Sequence, residues 1–171
     1  RGVPNSTMLQ NLPLVTSLAQ QFRPGAFLSR QSAGGVSLTG RLLEGLNAWN
    51  FLFTFPQGSQ TGVDVWAVYH DGHITCLPDF NAPRLWASVG IAPHILLDSS
   101  EALNLAMGYG LAECVAARPQ EILSVGYTVE QRIGATVPIV IVVPLAARSQ
   151  ELGEWIVSPS TGELYSRKYF C

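Results

Sequence analysis

His70, Asp71, His73 and Cys76 are the densest run of chemistry-bearing side chains in this sequence. Two imidazoles and a carboxylate make a ligand set suited to zinc or iron, and an imidazole beside a thiol is the pair that activates a nucleophilic cysteine. The spacing argues against both uses. His70 and His73 flank a tight turn, and Asp71-Gly72 is accounted for by turn chemistry, as a two-residue hairpin signal. His73 and Cys76 stand at i and i+3 of one strand, where side chains point to opposite faces, so the base does not reach the thiol. His94, between Pro93 and Ile95, has no carboxylate near it in sequence and reads as structural, while Glu113 and Glu121 read as separate solvated charges. No Gly-rich phosphate loop, nucleophile elbow or metalloprotease helix occurs. The expectation is a chain with no catalytic residues, no metal and no cofactor, and therefore not an enzyme.

The three cysteines carry more information. Cys76 ends a strand, Cys114 lies in an apolar helix and Cys171 is the last residue. One reading is three free thiols in a reducing compartment, with Cys114 a small core hydrophobe. The other is an exported chain whose odd cysteine seeks a partner in another molecule, with Cys171 sterically free to find one. Cys171, Cys76 and Cys114 are thus the candidate disulfide or assembly residues.

Composition bounds the rest. A chain of 171 residues buries roughly 70% of its unfolded surface as one unit. Hydrophobic residues make up 47% and charged ones 13%, which excludes an extended disordered chain and leaves a surface of Ser, Thr, Gln, Asn and Gly. Lys168 is the single lysine, and a net charge of -2 with scattered arginines offers no basic stripe for nucleic acid. No apolar run approaches the ~18 residues that span a bilayer; the longest, 137–145, is cut by Pro138 and Pro144. The first residue is Arg1 rather than Met, so a processed or trimmed chain is expected, and the low lysine content leans towards export. Asn5-Ser6-Thr7 fits a glycosylation sequon.

The helices and strands that carry these residues read as two similar halves. A lead-in, 1–12, has no periodicity. From Pro13, Leu14, Val15, Leu18 and Phe22 mark one helix face, stopped by Arg23-Pro24-Gly25. A strand over 26–32 is followed by a turn at Gly34-Gly35 and a weaker segment, 36–43. Trp49, Phe51, Phe53 and Phe55 alternate with Asn50, Leu52 and Thr54, which puts the aromatic row on one face of a strand, read as core rather than as a ligand platform. After a polar connection over 56–62, Val63, Val65, Ala67 and Tyr69 continue the alternation into the Asp71-Gly72 turn. Residues 78–97 are a connector packed by Trp86. A second helix opens at Asp98 with Glu101 completing a capping box. Ala102, Leu105, Tyr109, Ala112 and Ala116 fall at helical spacing, and Leu103, Ala106 and Val115 make it apolar nearly all round, so it is expected to be buried, with Gly108 and Gly110 marking close approach to a sheet. Arg118-Pro119 stops it as Arg23-Pro24 stops the first. Leu123, Val125, Tyr127 and Val129 then alternate as a half-solvated strand, 137–143 is its more buried neighbour, and a closing hairpin runs from Trp155-Ile156-Val157 through Gly162. The fold class is α+β: two repeats, 13–77 and 98–171, each a helix followed by an antiparallel meander, helices on the sheet faces.

Trp155-Ile156-Val157, Thr161-Gly162-Glu163 and Leu164, with Ser99-Ser100-Glu101-Ala102 at the helix start, make the second half resemble the PepSY-like group of cystatin-related folds. The first half matches less well because 41–47 has no counterpart. The resemblance implies a non-catalytic, mostly exported module that binds or inhibits proteins.

Two functions follow as expectations. The first is an exported structural or interaction protein that associates with copies of itself through sheet edges and termini, as a polymer or filament subunit would. In that reading the lead-in is added as a strand to a neighbour, and Cys171 comes near a neighbour's Cys76. The second is a PepSY-like module that binds another protein or inhibits a protease, with the lead-in packed on its own subunit and Cys171 pairing internally.

Overall fold

The structure is a computed structural model, and residues 1–80, 90–132, 137–146 and 152–169 are the ones described. The connector's Trp86 lies outside them, as does Cys171. The order of elements is α1 (Met8–Phe22), β1 (Phe27–Val36), β2 (Ala48–Gln57), β3 (Gln60–Tyr69), β4 (Ile74–Leu77), a 3-10 turn (Ala92–His94), α2 (Ser99–Ala106), a π-helical turn (Met107–Leu111), α3 (Ala112–Ala117), β5 (Ile122–Glu130), β6 (Ile139–Ala146), β7 (Gly153–Val157) and β8 (Leu164–Tyr169). The fold is α+β, with one eight-stranded sheet in the order β4-β3-β2-β1-β5-β6-β7-β8. Every pairing is antiparallel, including β1 with β5 at the centre.

One face of this sheet holds the main core. Trp49, Phe51, Phe53 and Phe55 are all buried there, as their alternation predicts, with α1 over β1, β2 and β3 and α2 over β6 and β7. Val125, Tyr127 and Val129 of β5 and Val140 and Val142 of β6 continue the same cluster. On the opposite face Ile139, Ile141 and Ile156 form a small second cluster.

Helix α1 starts at Met8, five residues before Pro13, which sits inside it. The stronger signal is Thr7 three residues before Gln10, whose Oε1 accepts from the Thr7 N–H at 2.9 Å and so closes the first turn. The earlier start also changes the buried face, which is Met8, Asn11, Val15 and Ala19, while Leu14 and Phe22 are exposed. Asn11 is buried because it has work at the lead-in: its Oδ1 accepts from Val3 N at 2.9 Å and its Nδ2 donates to Ser6 Oγ.

Several turns depart from expectation for local reasons. Strand β1 runs through Gly34-Gly35, which form an irregularity in the pairing with β5 rather than the turn. The 56–62 connection shrinks to Gly58-Ser59 between β2 and β3, with Gly58 at φ +60 as a two-residue hairpin needs. The loop at Asp71-Gly72 has three residues, not two: Gly72 N–H donates to Tyr69 C=O and Tyr69 N–H to His73 C=O, with Gly72 at φ +81. On β5 a shift between Ile122 and Ser124 turns Ile122 inward and leaves Leu123 67% exposed, although the rest of the alternation holds.

The second helix is interrupted. Gly110 has φ +109 and ψ -2, a conformation outside the helical region, and the five-residue turn around it resets the helical phase. Ala102, Leu103 and Ala106 are buried before it and Leu111 and Cys114 after it, while Ala112 and Ala116 face solvent. Gly110 therefore serves the change of direction, and Gly108 marks no close approach to the sheet, since an added Cβ there would meet nothing within 4 Å.

Candidate functional site

The structure brings His70, Asp71 and His73 together on the β3–β4 loop and gives them structural work. Asp71 Oδ1 accepts from His73 N at 2.8 Å, the side-chain turn expected of an Asp-Gly pair. The His73 ring lies 5.8 Å from that of Tyr69. The loop's carbonyls are taken by the lead-in: Gly2 N donates to Gly72 O at 2.8 Å, Asn5 N to His70 O at 2.7 Å, and Arg1 Nη2 to Asp71 O at 3.1 Å. Residues expected as a strand added to a neighbour are thus held by their own chain, because the loop offers three carbonyls at their spacing. Among the described residues no group of three or more His, Cys, Asp or Glu side chains is arranged to hold a metal.

Cys76 is a free, half-buried thiol on β4 opposite Trp66, on the core side of the sheet. Burial pushes its pKa up, the Asp64 carboxylate adds to the rise, and the Arg23 guanidinium opposes it. His73 precedes β4 on an exposed loop. His94, expected to be structural, is exposed at the end of the 3-10 turn. Cys114 is buried in α3. Glu121 is not a separate charge: Arg118 Nη1 reaches its Oε2 at 3.2 Å.

The polar residues that matter most to the architecture reach partners beyond those their local sequence indicates. Asp98 caps α2 as predicted, accepting from Ser99 N at 2.7 Å, with Glu101 Oε2 accepting from Asp98 N at 2.9 Å. The same Asp98 Oδ1 also accepts from Leu9 N at 2.9 Å, and Ser99 Oγ from Met8 N at 3.2 Å. One Asp-Ser pair thus serves the orphan N–H groups of two helices far apart in sequence. Arg23, which reads only as a helix stop, places Nε 3.3 Å from buried Asp64 and Nη2 3.0 Å from Asp79, with its guanidinium 4.5 Å from the Phe55 ring centre. The carbonyl of Tyr109, freed by the π-helical turn, accepts from Trp155 Nε1 at 3.2 Å and from Arg167 Nη1 at 2.8 Å, fastening β7 and β8. The repeated tryptophans and Arg-Pro pairs are the available signals; their partners lie too far along the chain to be seen locally.

The terminal strands of the sheet differ in chemistry. On β8 stand Arg167 and Lys168, and a register shift bulges the strand at Tyr165. Charge and bulging are protections against adding another strand. The other terminal strand, β4, has the sequence Ile74-Thr75-Cys76-Leu77, with no charge and an unbroken ladder to β3. Thr75 is exposed and Leu77 is 55% exposed. Among the described residues no helix is long and apolar enough to cross a membrane.

Comparison with protein-family models, with curated protein sequences and with solved structures found no match to this chain.

Proposed function

We propose that the chain is a non-catalytic, exported interaction protein that associates with copies of itself through the edges of its sheet. The observation that carries this reading is the pair of strands, β4 and β8, that terminate an antiparallel sheet with no charge on β4. A sheet edge presents a row of N–H and C=O groups to a further strand, and hydrogen-bonded pairing needs no side-chain chemistry. The polar groups described above support the same reading, since they close turns and cap helices. The lead-in is not part of the contact, being hydrogen-bonded to its own β3–β4 loop.

The architecture reads as a tandem duplication of a PepSY-like unit. Its support is the strand order, which runs outward from the β1–β5 pair as β1 to β4 on one side and β5 to β8 on the other, each series preceded by a helix ending at an Arg-Pro pair. Joining two such units at their first strands leaves the last strand of each at the outside. The test of self-association is the mass in solution as a function of protein concentration, in the presence of reductant so that disulfide exchange does not contribute. A concentration-dependent rise above the 18.5 kDa chain mass supports the reading, and a constant monomer removes it.

A further inference from the structure

We infer that β4 pairs antiparallel with β4 of a second copy across a twofold axis at Thr75, an assignment that rests on the self-association reading above. The hydrogen-bond parity of the β3–β4 ladder fixes which groups are on offer. Tyr69 N–H donates to His73 C=O, and the register sets Ala67 against Thr75 and Val65 against Leu77. Antiparallel pairs alternate between bonded and non-bonded. Thr75 and Leu77 therefore point their backbone groups inward to β3, and Ile74 and Cys76 point theirs outward. Among the described residues no hydrogen bond reaches Ile74 or Cys76 from that side.

These outward groups are symmetric about Thr75. With the axis there, Ile74 of each copy faces Cys76 of the other, and the N–H and C=O of both residues are satisfied in the pair. A twofold at Cys76 would instead set Ile74 against Pro78, which has no N–H to give. The Thr75 register also places no charge opposite a like charge, because β4 carries none. It brings exposed Leu77 opposite His73 of the second copy, covering an apolar side chain that the single chain leaves in water. The other edge is the poorer choice: Arg167 and Lys168 would recur across a β8 pair, and the Tyr165 bulge interrupts its row of groups.

The geometry makes a specific demand. At a non-bonded antiparallel pair the Cα atoms lie about 4.5 Å apart, within the range a disulfide bridges, so Thr75 of one copy would stand against Thr75 of the other. The experiment uses the full chain carrying Cys76→Ser, with either Thr75→Cys or Leu77→Cys added, oxidised with copper phenanthroline and resolved without reductant. In parallel, sedimentation compares the unmodified chain with Thr75→Lys, a substitution at an exposed side chain. The expected result is a covalent dimer from Thr75→Cys, at least several-fold less from Leu77→Cys, and a several-fold weaker dimer for Thr75→Lys. A dimer that is indifferent to Thr75→Lys and that Thr75→Cys fails to cross-link overturns this edge while leaving self-association standing. A chain that stays monomeric at every concentration overturns both.

Discussion

Removing one oxygen atom from the middle of the core should make this protein more stable. Tyr127 is 0% exposed, its ring lies edge-to-face on Trp49 with centroids 5.8 Å apart, and among the described residues its hydroxyl has no hydrogen-bond partner. A buried, unsatisfied polar group carries a desolvation cost of about 1–3 kcal/mol. Tyr127→Phe keeps the ring, the stacking and nearly all the packing, so it should recover most of that cost. For a chain of this size each kcal/mol corresponds to roughly 2–4 °C in Tm. The pH dependence sharpens the test. Burial holds the Tyr127 phenol far above its ordinary range, and the Asp98 carboxylate adds to the rise. Below the ordinary tyrosine pKa of about 10 the phenol is neutral both folded and unfolded, and ionisation contributes nothing. Above it the unfolded chain loses the proton while the fold keeps it, so stability falls as pH rises. Phenylalanine has no such loss, and the advantage of Tyr127→Phe should widen by about 1.4 kcal/mol per pH unit there. Urea unfolding of both proteins at pH 7 and at two values above 10 measures this. A variant less stable than the parent at pH 7, or a difference that stays flat above 10, would refute the buried, unpartnered hydroxyl.

Phe53→Ala should cost about 3–5 kcal/mol in chemical denaturation, because Phe53 is fully buried in the centre of the aromatic row. Asp98→Ala removes one acceptor from the starts of both α1 and α2 and should cost about 1–3 kcal/mol, with hydrogen exchange at Leu9 and Ser99 rising together; exchange rising at Ser99 alone would deny the shared cap. Iodoacetamide should modify Cys76 more slowly than an unhindered thiol at pH 8 and accelerate above the ordinary thiol range, since the thiolate is the nucleophile and burial suppresses it.

The parts of the fold written in short-range patterns are legible. The strand periods around Trp49 to Phe55 and Val125 to Val129, the Asp98 capping box and the turn glycine at 162 each depend on neighbours a few residues away, and each is found as read, while the Asp71-Gly72 turn is in its expected place with three loop residues instead of two. Expectation fails where two local signals compete. Pro13 suggests a helix start, but Thr7 and Gln10 close the first turn earlier. Gly110 sits in a helical pattern, yet its positive φ breaks the helix and moves the buried face. The candidate site is less legible because its content is topological. Nothing local to Ile74-Thr75-Cys76-Leu77 marks it as the end of an eight-stranded sheet, since that depends on β1 pairing with β5. The single lysine, Lys168, is placed on β8, where it protects a terminal strand, a position its local sequence does not reveal.

Sedimentation velocity of the full chain in reductant, over a wide concentration range, reads the self-association itself. Self-association through a sheet edge predicts a sedimentation coefficient that rises with concentration and reverses on dilution. A single species at the 18.5 kDa monomer mass throughout would contradict it.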